Sequence, residues 1–148
     1  MTGVQTCALP ISLPLPDLGF YRRSISADEE GEWYYNHNLK GDPAFLPRVG
    51  WMSAVMRGHA EVAAGLGIEV PVLMLISARS DPSRTWNDDM HRADLVLDVE
   101  ALAARAPQIG NHVTLIRILD GRHDLVLSLE EPRLRFLHEI RRWLATYC

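Results

Sequence analysis

One histidine follows a strand-like segment of the sequence and is placed to act on protons. His123 lies in "LDGRHDLVLS", directly after the apolar run "HVTLIRI". Histidine is the side chain whose unperturbed pKa lies close to neutral pH, so a histidine on a loop at the end of a strand is a candidate general base. This placement predicts acid–base chemistry at His123 if a carboxylate lies beside it.

Carboxylates follow the other strand-like segment, "VPVLMLIS" at 70–77. The polar loop after it carries four acids that could pair with a histidine, together with His91; the acids are Asp81, Asp88, Asp89 and Asp94. Ligands and reacting groups of open α/β sheets lie at the carboxyl ends of the strands, where loops of neighbouring strands meet. An acid after one strand and a histidine after the next is the arrangement that serine hydrolases use, in which the acid orients the imidazole and the imidazole takes the proton of the nucleophile.

A metal site at the same loop is the weaker hypothesis. His91 stands among acidic residues, but these share one polar loop and lack the fixed helical spacing of a zinc-binding histidine pair. A solvated acidic loop explains the composition better. We therefore expect no metal ion at this loop.

The elements that must position these loops alternate along the chain. Apolar residues at three- and four-residue steps predict helices at 51–66 and 128–147, a further helix is predicted within "DLVLDVEALAARA" at 94–106, and apolar runs predict strands at 70–77 and 112–119. This alternation predicts an α/β fold with a parallel sheet and right-handed crossovers. The unbroken run at 70–77 is typical of a strand buried on both faces.

Several local signals predict how the helices begin, end and pack. Gly65 suits the C-terminal cap of the first helix, and Asp98 suits an N-cap. Ser128 and Glu131 have the spacing of a capping box at the last helix. His59 falls on the apolar face of the first helix, which predicts a buried packing histidine.

The composition is typical of one ordinary domain and argues against binding to nucleic acid or insertion in a membrane. The chain has 148 residues, 47% of them hydrophobic, and a net charge of −4, which argues against a nucleic-acid binder. No apolar stretch is long enough to span a membrane, and the N-terminus lacks the pattern of a signal peptide. Cys7 and Cys148 do not form a disulfide framework. We expect a cytoplasmic protein.

The order and spacing of the motifs resemble the C-terminal half of an α/β-hydrolase of the serine aminopeptidase and lysophospholipase-like group. The resemblance covers about residues 20–147. It is carried by "GEW" with an aromatic pair, "GWMSAVMRGHAEV", "VPVLMLIS", "ADLVLDVEALA", a glycine before "HVTLIRI", "HDLVLS" and a terminal helix with "WL". Each motif alone is only moderately specific, so the resemblance rests on the order and spacing of all the motifs together.

The resemblance implies a Ser-acid-His triad with His123 as the base. Asp94, which leads "DLVLDVEALA", matches the acid best; Asp81 is the second choice and Asp98 the third. No G-x-S-x-G nucleophile elbow occurs, so the resemblance places the serine in a missing N-terminal half. It implies hydrolysis of small-molecule acyl esters, or of thioesters or amides, without a cofactor, and an inactive fragment.

A different class of function stays open. A non-catalytic α/β half-domain could serve as a binding or interaction module. The chain has no glycine-rich phosphate loop that would favour nucleotide binding. A carboxylate of Asp94 or Asp81 within hydrogen-bonding distance of His123 Nδ1 would favour the hydrolase over this alternative.

Three segments are expected along the chain. Residues 1–12 contain "VQTCALPI", which resembles translated sequencing-adapter DNA and indicates a non-native artefact. Residues 13–66 would hold the end of a lid or cap region and a flanking helix, and residues 67–148 the C-terminal part of a truncated α/β-hydrolase core. Two strands alone cannot form a sheet that buries both faces, which independently favours truncation.

Overall fold

The computed structural model describes residues 18–40 and 47–147. The described helices are α1 (Phe20–Ile25), α2 (Val49–Ala64), α3 (Val99–Ala103), α4 (Ala106–Ile109) and α5 (Glu130–Tyr147), and the strands are β1 (Val72–Ser77) and β2 (Val113–Ile118). Short 3-10 helices cover Asp88–Arg92 and Leu125–Leu127. The hypotheses about residues 1–12 and about Cys7 and Cys148 concern positions outside the described residues.

The two strands form a parallel sheet, as the alternation of elements predicts. They pair in register from Val72 with Val113 to Ser77 with Ile118. The chain passes from β1 to β2 through α3 and α4, and α5 contacts both strands. The architecture is therefore a mixture of helices and strands around a parallel pair, compatible with the α/β class.

The sheet is not buried on both faces, so that prediction for β1 is wrong. Only the carboxyl ends are buried, at Ile76 and Ser77 in β1 and at Ile118 in β2. The remaining strand positions are partly exposed. The helices that contact the strands are the short helices α3 and α4 and the single long helix α5, and together they do not cover both faces of the sheet. The buried core lies instead beyond these ends, with the buried side chains Ile25, Met90, Ala93, Val99 and Leu125.

Helix α2 differs from the expectation in its packing. It forms at the predicted place, and Gly65 caps it with a φ of 100°, a conformation that favours glycine. No residue of α2 is buried, however, and His59 is exposed where a buried histidine was expected. The reason is that α2 makes its main described contacts with the four-residue helix α4, which is too short to cover an apolar face.

Of the two helix starts predicted from capping residues, the one at Asp98 is confirmed and the one at Ser128 is wrong. The Asp98 side chain accepts hydrogen bonds from the amides of Glu100 and Ala101 at 2.9 and 3.1 Å, which confirms it as the N-cap of α3. The predicted capping box at Ser128 does not form. Helix α5 begins only at Glu130, and Ser128 Oγ accepts from the amide of Arg122 at 2.9 Å instead.

The predicted middle helix is interrupted. Helix α3 ends at Ala103, and Pro107 then lies in the first turn of the separate helix α4, where its missing amide hydrogen costs no helical hydrogen bond. Within the described residues, no helix combines the length and the apolar character needed to cross a membrane.

Candidate active site

The loops after the two strands bring His123 and Asp94 together. His123 Nδ1 lies 3.1 Å from Asp94 Oδ2. His123 follows β2, and Asp94 follows the 3-10 helix Asp88–Arg92 in the loop after β1. The side chain of Asp94 is 4% exposed and that of His123 27% exposed. The pairing geometry predicted for these two residues is present, while their catalytic role stays a prediction.

Asp94 is held rigidly by the backbone around it. Its Oδ1 accepts from the amides of Val96 and Leu97, each at 2.8 Å. Its own amide donates to the carbonyl of Arg79 at 2.9 Å, and its carbonyl accepts from the amide of Asp81 at 3.0 Å. One carboxylate oxygen is thus used to fix the turn, which leaves the other for His123.

The electrostatics of the pair favour a charged carboxylate and a basic imidazole. Burial alone would raise the pKa of Asp94, but hydrogen bonds from His123 and from the amides of Leu97 and Val96 outweigh it and lower that pKa. The hydrogen bond to Asp94 raises the pKa of His123 although its partial burial opposes this. Both shifts stabilise the proton on the imidazole once His123 has accepted it.

The contact with Asp94 also sets the tautomer of His123. Since a carboxylate can only accept, Nδ1 carries the hydrogen and Nε2 of the neutral ring presents a lone pair. No group within residues 18–40 and 47–147 hydrogen-bonds to Nε2, and no serine hydroxyl there hydrogen-bonds to His123. The pair can therefore accept a proton from a group brought to Nε2.

A buried arginine joins the two loops, and the sequence analysis missed it. Arg122 is 1% exposed. Its guanidinium donates to the carbonyl and to Nδ1 of His91, both at 3.0 Å, and to the carbonyl of Leu127 at 3.0 Å. It therefore ties the segment that carries His123 to the 3-10 helix before Asp94. A lone arginine between glycine and histidine gives no sequence signal of burial.

The other residues considered for the site have separate roles. Asp81 accepts from the amide of Ser83 at 2.9 Å and, more weakly, from the side-chain amide of Asn87 at 3.5 Å, and the bonds to Ser83 are the main cause of its lowered pKa. Asp98 caps α3. Neither carboxylate hydrogen-bonds to His123, so of these three candidates, all among the described residues, Asp94 is the one that meets the geometric requirement for the acid.

His91 is also accounted for without a metal. Burial and the charge of Arg122 lower its pKa, and its Nδ1 accepts the hydrogen bond from that guanidinium. Among the residues that the structure describes, no group of three or more histidine, cysteine or carboxylate side chains is placed to hold a metal ion.

A second polar group flanks His123 on the side of α1. The Tyr21 hydroxyl donates a hydrogen bond to Asp124 Oδ2, and its ring meets the His123 ring edge-on, with centroids 5.7 Å apart and an interplanar angle of 90°. Lys40 Nζ lies 3.8 Å from Asp124 Oδ2 and 4.7 Å from the centroid of the Tyr21 ring. Tyr21 and Lys40 are distant from His123 in sequence, so no local pattern could identify them.

Comparisons with known proteins add no support for the family. No family model, curated protein or solved structure matches the chain. The resemblance to the α/β-hydrolases therefore stands on the motifs of the sequence alone.

Proposed function

We propose that this chain carries the acid–base part of a serine-hydrolase triad that cleaves acyl esters, with His123 as the base and Asp94 as its orienting acid. The observation that carries the proposal is the 3.1 Å contact between His123 Nδ1 and a carboxylate that is 4% exposed. A buried carboxylate on Nδ1 leaves Nε2 as the basic nitrogen, which proton transfer from a nucleophile requires.

In the proposed reaction, a serine hydroxyl attacks the acyl carbonyl while His123 Nε2 takes its proton. Asp94 stabilises the resulting imidazolium and keeps the ring in the correct tautomer. His123 then returns the proton to the leaving alkoxide, and water releases the acyl group from the serine by the same steps. Because no G-x-S-x-G motif occurs in the sequence, the serine would come from outside this chain.

The test uses the product of this coding sequence extended upstream, with p-nitrophenyl butyrate as the substrate. His123→Ala should lower the turnover by about a millionfold and Asp94→Asn by about ten-thousandfold, the scale of such losses in serine hydrolases. His59→Ala is the matched control, because this histidine lies exposed on α2. Turnover that survives His123→Ala with the fold intact would overturn the proposal.

The second candidate is a non-catalytic interaction module, and one observation favours it. Helix α2 exposes large apolar side chains, including Trp51 at 58% and Met56 at 60%. Exposed apolar surface of this kind is typical of contact sites for other proteins. An extended protein that shows no esterase activity, and whose Asp94→Asn variant leaves the titration of His123 unchanged, would favour the module.

A further inference from the structure

Two carboxylates flank His123, and only one of them can orient it. Asp94 contacts Nδ1 and is 4% exposed, whereas the side chain of the neighbouring Asp124 is 45% exposed. The negative charge of Asp124 also acts on His123 and helps to raise its pKa. An exposed second carboxylate beside the imidazole could compete with Asp94 for its hydrogens unless other groups engage it.

Tyr21 and Lys40 engage Asp124 from the N-terminal part of the chain. The Tyr21 hydroxyl donates to Oδ2, the same oxygen that lies 3.8 Å from Lys40 Nζ. Burial and the contact with Asp124 raise the pKa of Tyr21 further above neutrality, so the phenol keeps its hydrogen and remains a donor. The donor and the cation both oppose the effect of the Asp124 charge on the imidazole, and Lys40 itself acts to lower the pKa of His123.

The Tyr21 ring has a second effect. It meets the His123 ring at 90° with centroids 5.7 Å apart, an edge-on arrangement that aromatic pairs favour. Asp94 holds the imidazole through Nδ1, and the Tyr21 ring packs against it. Rotation of the imidazole would break both contacts.

We propose that Tyr21 is a positioning residue for His123, which holds the imidazole ring and keeps Asp124 engaged so that Asp94 alone orients the base. The inference rests on the proposed function of the Asp94–His123 pair. The charged and titratable groups that act on His123 are then Asp94, Asp124, Lys40 and Tyr21, and only Asp94 contacts the imidazole nitrogen.

The experiment follows the titration of His123 by NMR in the full 148-residue chain. Tyr21→Phe keeps the ring and removes the hydroxyl, which donates to Asp124 and accepts from Lys40 Nζ at 3.5 Å. The charge of Asp124 is then less compensated, and the midpoint of His123 should move to higher pH. Tyr34→Phe is the matched control, because Tyr34 is 85% exposed, and it should leave the midpoint unchanged. An unchanged midpoint in a folded Tyr21→Phe variant would overturn the inference.

A double-mutant cycle tests whether the effect passes through Asp124. Asp124→Asn should lower the midpoint of His123, and Tyr21→Phe added to it should have little further effect. An undiminished effect of Tyr21→Phe in the Asp124→Asn background would contradict the mechanism. If Tyr21→Phe fails to fold, Lys40→Gln provides the second measurement: it should raise the midpoint, and no change would count against the engagement of Asp124.

Asp94→Asn separates this inference from the proposed function. It should lower the midpoint of His123 strongly, because it removes the main group that raises the pKa. If it does not, the acid–base pair and the proposed function fail together. If Asp94→Asn acts as expected but Tyr21→Phe does not, only the role of Tyr21 fails.

Discussion

The loops at the carboxyl end of the sheet and helix α2 are packed in opposite ways. The loops contain buried polar side chains, among them Asp94, Arg122 and Ser128, next to buried apolar ones such as Met90. Helix α2 has 16 residues, follows an amphipathic pattern and buries none of them. Among the described residues, polar side chains of these loops are therefore better buried than the apolar side chains of α2.

The difference shows that a hydrophobic pattern gives stability only where another element covers it. The loops can pack against one another because their buried polar groups are hydrogen-bonded. Arg122 donates to His91 and Leu127, and Ser128 Oγ accepts from the amide of Arg122. A buried polar group that is hydrogen-bonded avoids most of its desolvation cost. Stability in the described chain should thus concentrate around the candidate active site.

The largest expected effect compares two methionines, one in each region. Met90 lies in the 3-10 helix before Asp94 and is fully buried, whereas Met56 on α2 is 60% exposed. Met90→Ala should lower the free energy of unfolding by about 3 kcal/mol, because it leaves a cavity in the core. Met56→Ala should change it by less than about 0.5 kcal/mol. Urea denaturation of both variants measures the difference, and equal losses would remove the contrast between the regions.

A smaller effect is expected for a matched pair of serines. Ser128 is fully buried, and its Oγ accepts from the amide of Arg122 at 2.9 Å, while Ser53 on α2 is exposed. Ser128→Ala leaves that amide buried without its acceptor and should cost about 1–2 kcal/mol of unfolding free energy. Ser53→Ala should be neutral or slightly stabilising, because alanine favours helices. A neutral Ser128→Ala variant would show that the loop does not depend on this bond.

The sequence predicts the features that depend on local patterns or on the general layout of parallel sheets. The apolar runs predict both strands, and the alternation of helices and strands predicts their parallel pairing. The capping residues Gly65 and Asp98 predict the end of α2 and the start of α3. The rule that loops at the carboxyl ends of neighbouring strands meet predicts an acid of the first loop beside His123, and the choice of Asp94 among those acids follows from the family resemblance.

The contacts that the sequence does not predict depend on distant residues. Ser128 is adjacent to a helix, which favours a cap, but tertiary packing directs its hydroxyl to Arg122. Tyr21 reaches Asp124 across 103 positions of the chain. The exposure of His59 depends on whether another element covers α2, which an amphipathic period cannot reveal. Local signals predict where elements form, and long-range contacts decide what they bury.

The smallest expected effect is the pH dependence of the Asp94–His123 pair. Asp94→Asn keeps an oxygen to accept from the amides of Val96 and Leu97 and removes the charge, so it isolates the interaction with His123. The raised pKa of His123 stabilises the folded state fully below its unfolded value near pH 6.5, and this contribution is lost as pH rises through the folded pKa. The lowered pKa of Asp94 contributes above its unfolded value near pH 4 and is lost as pH falls through the folded pKa.

The pair should therefore stabilise the fold most between about pH 4 and pH 6.5. The loss of unfolding free energy in Asp94→Asn should be about 1 kcal/mol larger near pH 5.5 than near pH 9, on the scale of one charged hydrogen bond. Urea denaturation of the native chain and the variant at both pH values measures this difference. The same loss at both pH values would mean that Asp94 supports its turn without holding the proton of His123, and the contrast between the two regions would then be one of packing alone.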